Sequence, residues 1–183
     1  MKRFLYSFLE VVEVALIAVI SVFLVRTFLV QPFLVSGESM APNFSNGDYL
    51  LVDELTYYFR TPGRGEVAVF RYPSGNGSTY FIKRVIGLPG EKVKISDGKV
   101  YIFNQDNPQG FLLEEDYLSP RAVTTGDAEF KIDGENYFVL GDNRSYSFDS
   151  RSWGLLNKKE IVGLARLRLW PLAHMKAFAA PQY

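Results

Sequence analysis

Apolar residues dominate the chain from Phe4 to Val35, and beyond Pro32 they give way to short runs in which apolar and polar positions alternate. The first region is broken by Glu10, Glu13, Arg26, Thr27, Gln31 and Pro32, and its longest charge-free stretch is Val14 to Val25. That stretch alone is too short to span a bilayer. Extended to Phe8 through Val30 it reaches the ~20 residues a span needs, with Glu13 and Arg26 at the two interfaces, where long side chains can snorkel. The expectation is one N-terminal transmembrane helix, residues 1–31 forming a membrane anchor with the span at about 8–30. Lys2 and Arg3 before the span favour a cytoplasmic N-terminus and place the remainder outside the cytoplasm. A buried core helix and a cleavable signal peptide, with Val35-Ser36-Gly37 as the cleavage pattern, are the alternatives. Against cleavage, the apolar region outruns an ordinary signal core and Arg26 interrupts it.

The alternating runs predict strands at Tyr49–Val52, Glu66–Tyr72, Tyr80–Ile86, Lys92–Ile95, Val100–Phe103, Tyr137–Leu140 and Gly163–Trp170, separated by Gly, Pro, Asn and Asp clusters. In KVKISDGKVYI the pair Asp97-Gly98 marks a hairpin turn requiring positive φ. Ser74 to Ser78, SGNGS, reads as a mobile loop. Helical periodicity outside the N-terminus is confined to Leu156–Ile161, where Asn157 can cap a turn ahead of Glu160. Residues 104–133 are polar and turn-rich and read as a variable insertion on a β core. The fold expected is mainly β, one domain over 32–176 preceded by the anchor and followed by a tail, 177–183.

Composition narrows the chemistry. With 20 basic and 20 acidic residues the formal charge is zero, so no global field favours nucleic acid. There is no cysteine and one histidine, His174, which removes disulfides and thiolate zinc sites and points to chemistry needing no metal or other cofactor. His174, behind Trp170-Pro171, reads as a surface residue. Ser96-Asp97-Gly98-Lys99 matches an S-x-x-K pattern, but its hairpin turn is not the helix start that motif needs, and neither S-D-N nor K-T-G occurs.

Three segments stand out. SGESMAP holds Ser39, whose hydroxyl needs a base before it can attack anything. YFIKRVIGLPG holds Lys83, on a strand whose alternation puts Phe81, Lys83 and Val85 on one face and Ile82, Arg84 and Ile86 on the other. To be neutral near pH 8, a lysine of ordinary pKa about 10.4 must lose roughly 3 to 4 kcal/mol of preference for its charge, which desolvation can supply. On this segment alone, an amphipathic strand with a solvated lysine explains Lys83 as well. The third segment, GDNRSYSFDSRSWG, packs Asp142, Asn143, Arg144, Ser145, Ser147, Asp149, Ser150 and Arg151 together, more polar commitment than a connection requires.

Taken in order, SGESMAP, YFIKRVIGLPGEKV and GDNRSYSFDSR resemble the signature boxes of the type I signal peptidases, bacterial membrane-bound Ser/Lys endopeptidases. The resemblance implies that the β domain is catalytic and its sheet antiparallel, that Ser39 is the nucleophile and donates its backbone N–H to the oxyanion, that Lys83 is the general base, and that Ser147 hydrogen-bonds the lysine amine. It further implies that Met40 packs beside the nucleophile, that Asp142 pairs with Arg84, and that Asp149 and Arg151 form a salt bridge supporting the site, with Asn143 and Arg144 in the same supporting box. The implied partners are the signal peptides of preproteins, a lipid bilayer and the secretion translocon, and the implied location is the plasma membrane with the catalytic domain on its outer side. The chain departs from the commonest pattern at Gly37, where some members carry an oxyanion-binding serine, at Asn43 and at Glu91. A membrane-tethered β domain that only binds, and a self-cleaving Ser/Lys regulator, are rivals; no helix-turn-helix precedes Ser39.

Overall fold

A computed structural model of the chain describes residues 2–28, 30–73 and 79–181. The expected loop at 74–78 lies outside the described residues. A long helix, α1 (Lys2–Phe28), leads into β1 (Val30–Leu34), and β2 (Tyr49–Asp53) follows after a loop. Next come a one-turn helix α2 (Thr56–Phe59), β3 (Val67–Arg71), β4 (Tyr80–Gly87), β5 (Lys92–Ser96), β6 (Lys99–Phe103), β7 (Phe111–Leu112), β8 (Ala128–Lys131) and β9 (Asn136–Leu140). The chain then forms α3 (Ser150–Trp153), β10 (Leu156–Asn157), β11 (Ile161–Trp170) and β12 (Lys176–Ala177).

Mainly antiparallel β structure is what these elements build. One sheet has the order β1-β2-β11-β3-β4-β9-β10, with β12 paired to β11, and the other has β7-β6-β5-β8. The Asp97-Gly98 hairpin forms with both residues at positive φ, 52° and 75°, between the paired Ser96 and Lys99. This is the geometry that a two-residue turn needs to follow strand twist. The second sheet packs Val93, Ile95, Val100 and Ile102 against Ile86, Phe138 and Leu140 of the first, so one core holds the two sheets together. Another core, Val35, Met40, Phe44, Leu50, Val52, Val67 and Val69, lies beneath the loop joining β1 to β2.

Several expectations are corrected. Val30 and Gln31, counted as the end of the anchor, open a strand, Val30–Leu34, paired along β2 from Val30↔Asp53 to Leu34↔Tyr49. Residues 104–133 contribute β7 and β8 to the second sheet and so belong partly to its framework. Leu156–Ile161 is not an α-helical turn: Leu156 and Asn157 pair with Tyr137 and Asn136, and a 3-10 turn follows at Lys158–Glu160. Asn157 does cap it, its side chain accepting from the Lys159 N–H. The backbone pairing of β10 takes precedence over a local helical preference too short to stand alone. As for the expected span, among the described residues no helix is long and apolar enough to cross a membrane. Glu10 and Glu13 interrupt α1, and the side chains of 23–30 lie outside the described residues. From Tyr6 to Val22 every side chain of α1 is exposed.

β11 is the hinge of this topology, lying between β2 and β3. Gly163 lets it approach β2 closely: a Cβ there would lie 2.6 Å from the Asp53 carbonyl oxygen and 2.8 Å from Val52 Cγ1. Since backbone cannot move aside as a side-chain tip can, Gly163→Ala is expected to cost about 1–3 kcal/mol of stability, measured by denaturant unfolding.

Candidate active site

The β1–β2 loop exists because its backbone is tied down at both ends. Asp48 accepts from Ser45 N–H at 2.8 Å through Oδ2, while its own carbonyl accepts from Val35 N–H at 2.9 Å. Gly37 has φ +100° and donates its N–H to Asn46 Oδ1 at 3.0 Å. That φ is strained for any L side chain, so at this position the backbone turn itself calls for glycine. Ser39 follows two residues later and is held from the third polar segment: Asn143 N–H donates to Ser39 O at 3.0 Å, and Asn143 Nδ2 donates to Glu38 O at 3.1 Å. Among the described residues the Ser39 N–H donates to no protein acceptor.

Lys83 lies in the middle of β4, paired with Ala68 of β3, and its side chain is buried. Its Nζ is 2.7 Å from Ser39 Oγ and 3.0 Å from the Ile82 carbonyl oxygen, and sits 5.3 Å from the centre of the Phe81 ring. Desolvation brings its pKa down from 10.5 to about 8, against the opposing pull of the Asp149 and Asp142 carboxylates. Burial wins because the nearby walls are apolar and neither acid is a hydrogen-bonded partner of the amine. A neutral amine has one lone pair, and the serine hydroxyl at 2.7 Å is placed to donate to it.

Asp142 is the central support. Its carboxylate receives Arg84 Nε at 2.8 Å and Nη2 at 2.6 Å, and Asn43 Nδ2 at 2.9 Å. Its N–H points at Met40 Sδ at 3.4 Å, with Met40 buried beneath the loop that carries Ser39. Asp149 binds Arg151 through Nε and Nη2, both at 2.8 Å, and accepts from Gly141 N–H at 3.1 Å. Arg144 is buried and donates to Gly141 O, Thr124 Oγ1 and the Glu115 carboxylate.

The structure thus gathers Ser39, Lys83, Met40, Arg84, Asp142, Asn143, Arg144, Asp149 and Arg151 about one centre. Ser147 reaches the same cleft but not the lysine amine. Its Oγ is buried and, among the described residues, has no hydrogen-bond partner; it packs where a Cβ of Gly141 would stand, and the Lys83 amine is engaged by Ser39 and Ile82 instead. The expected Ser147–Lys83 hydrogen bond is therefore not formed here. His174 is exposed in a 3-10 turn and is not among the residues lining this cleft. Sequence reading missed Glu115, Thr124 and Tyr117, whose ring lies 4.0 Å from the Arg84 guanidinium carbon. It also missed Gly141, where any Cβ would collide with Ser39 O and Ser147 Oγ. Glu91, a departure from the commonest pattern, is buried, accepts from Leu88 N–H at 2.8 Å and pairs with Arg64 at 2.6 Å.

The cleft above this centre has a volume of about 570 Å³. Leu50, Val69, Val35 and Ile82 line it beside Ser39 and Lys83, with Phe33, Tyr80, Tyr146 and Phe148 among its other walls. A serine hydroxyl against a deprotonatable amine in an apolar cleft has the form of a serine hydrolase. The family model for signal peptidase, peptidase S26, matches residues 8–170, and the chain belongs to that family. It is a serine endopeptidase. Signal peptidase I P of Bacillus subtilis subsp. natto is 35% identical over 185 residues, covering 96% of each chain. Signal peptidase I of Leptolyngbya laminosa is 37% identical over 166 residues, covering 86% of this chain and 77% of its own.

Burying Lys83 has a thermodynamic signature. Its pKa is about 8 folded and 10.5 in the free residue, so the unfolded state binds the proton more tightly. The cost, about 3 kcal/mol, is complete below pH 8 and is relieved as pH rises to about 10.5. Lys83→Met should therefore be more stable than wild type by up to ~3 kcal/mol at pH 7, the gap closing above pH 8, in urea titrations across that range. Gly141→Ala should unfold at lower denaturant and lose at least tenfold in kcat, since its Cβ displaces the Ser39 carbonyl.

Proposed function

We propose that the protein removes signal peptides from exported preproteins, with Ser39 as nucleophile and Lys83 as general base, while α1 holds the domain at a membrane. The observation that carries the reading is the 2.7 Å contact between Ser39 Oγ and a buried amine whose pKa is lowered to about 8. Neutral Lys83 takes the Ser39 proton as Oγ attacks the scissile carbonyl. The Ser39 N–H is free to bind the developing oxyanion, and with glycine at 37 no side-chain hydroxyl from that position assists it. The resulting ammonium returns its proton to the leaving amine. Neutral again, Lys83 activates the water that frees the acyl group from Ser39.

The floor of the cleft, with Leu50 and Val69 almost fully buried, leaves shallow apolar pockets that suit small side chains at the first and third positions before the cut. Asp142, Arg84, Asp149 and Arg151 hold this geometry without exchanging protons in the reaction. Membrane attachment is supported by α1: Phe8, Leu9, Val11, Val12, Leu16, Ile17, Val19, Ile20 and Val22 are all exposed around its circumference. Exposed apolar side chains on every side of α1 favour an apolar environment, and the family model matches the chain from residue 8, within that helix. The substrate then meets the cleft at the surface of the bilayer, close to a secretion translocon.

Incubation of the detergent-solubilised chain with a purified preprotein should give cleavage after a small-X-small sequence. Ser39→Ala and Lys83→Ala should each lose at least 10³-fold in kcat/KM. Equal cleavage by wild type and Lys83→Ala would reject lysine as the base. In wild type, kcat/KM should climb tenfold per pH unit below about 8 and level off above it, because only the neutral amine can accept the serine proton.

A further inference from the structure

The family match ends at residue 170, yet the chain beyond it returns to the loop that carries Ser39. Strand β12 pairs with β11 through Arg168↔Lys176 and Leu167↔Ala177, and the Phe178 N–H donates to Arg166 O at 2.8 Å. This sets the Phe178 ring 4.3 Å, centre to centre, from the ring of fully buried Phe44, at an interplanar angle of 31°. The guanidinium of Arg168 lies 5.5 Å from the Phe178 ring and 6.0 Å from the Phe44 ring. Arg168 Nε is 3.0 Å from Asp48 Oδ2, an ion pair off the hydrogen-bonding direction, and Nη2 donates to the Asn43 carbonyl. Asn43 passes the contact on, its Nδ2 donating to Asp142 Oδ2 at 2.9 Å and Tyr117 O at 2.7 Å. Phe44 is in turn one hydrogen bond from the nucleophile's neighbour, its N–H donating to Met40 O at 2.9 Å.

We propose that Phe178 is a positioning residue for catalysis, the tip of a C-terminal clamp that fixes the nucleophile loop through Phe44, Arg168 and Asn43. The loop is gripped from two directions. Asn143 holds the Glu38 and Ser39 carbonyls on the side of the third polar segment. On the opposite side, Arg168 spans Asp48 and Asn43, and the Phe178 ring walls the guanidinium and Phe44 into place. Without the ring, Arg168 has an open route to solvent and Phe44 gains room to shift. Displacing a reacting atom by about 1 Å costs on the order of 100-fold in rate, far more than the loss of one ring contact costs in stability.

The inference rests on Ser39 being the nucleophile, and the test separates the two. Full-length wild type, Ser39→Ala, Phe178→Ala, Phe178→Tyr, Arg168→Met and the Phe178→Ala/Arg168→Met double variant are assayed in detergent on one peptide bearing a small-X-small cleavage site, with thermal unfolding of each. The clamp predicts that Phe178→Ala lowers kcat by about 10- to 100-fold with KM within about twofold, and that Phe178→Tyr restores the rate. Arg168→Met should match the loss, and the double variant should be no slower than the slower single, because the two residues act in series. Should Phe178→Ala not unfold cooperatively, Phe178→Leu is judged by the same criteria. An unchanged kcat in a cooperatively folded variant, or losses that multiply in the double variant, overturns the clamp. Cleavage by Ser39→Ala instead strikes the assignment of the nucleophile and leaves Phe178 out of account.

Discussion

The carboxylate of Asp142 is the point on which the rest of the site depends. Three separate stretches of chain converge on it: the Ser39 loop through Asn43, the Lys83 strand through Arg84, and its own segment, whose N–H contacts Met40. A buried ion pair of this kind is a poor source of stability, since desolvating both groups costs about as much as their attraction returns. Its contribution is geometric. With Arg84 Nη1 also donating to Gly65 O at 2.8 Å, the guanidinium has a single way to lie, and Lys83 next to it on β4 is fixed in register. The same negative charge favours the protonated lysine, against the neutral amine that the proposed reaction needs. The site functions as a compromise in which the acid is close enough to lock the strands and the apolar surroundings outweigh its field at the amine.

A second tier of support comes from the smaller sheet. Glu115, Tyr117 and Thr124 lie in the segment between β7 and β8, and they reach back to Arg144 and Arg84. Arg144 then holds Gly141 O, and Gly141 is the residue on whose missing Cβ the packing of Ser39 and Ser147 depends. The smaller sheet is held by its β5–β6 hairpin and by a core shared with β4 and β9. It is linked to the Ser39–Lys83 centre through a few charged side chains rather than through continuous backbone.

Much of this was legible in the chain. β2, β5 and β6 announce themselves by alternation, β3, β4, β9 and β11 by short runs rich in β-branched and aromatic residues, and Asp97-Gly98 because few dipeptides tolerate its turn. The segment holding Asp142, Asp149 and Arg151 is dense enough in polar residues to draw notice, and the family resemblance implies the pairs Arg84–Asp142 and Asp149–Arg151. What escaped was anything whose meaning is set at a distance. Glu115 sits 29 positions from Arg144 in a stretch with no periodicity, β1 hides at the end of an apolar run, and β7, β10 and β12 are two residues each, too short to carry a pattern. Ser147 shows the opposite error, a hydroxyl with a good motif but, in this packing, no partner.

The strand order carries one more implication. Ser39 hangs from the β1–β2 pair and Lys83 from the β3–β4 pair, and these neighbours in sequence are not neighbours in the sheet, for β11 is inserted between β2 and β3. No local folding of the first hundred residues can bring hydroxyl and amine within reach. A strand from well over a hundred residues after the nucleophile must first enter the gap, a contact of high sequence separation and hence a slow one to form. The hydroxyl–amine contact is thereby tied to the completed sheet, since the two strand pairs that carry it flank β11.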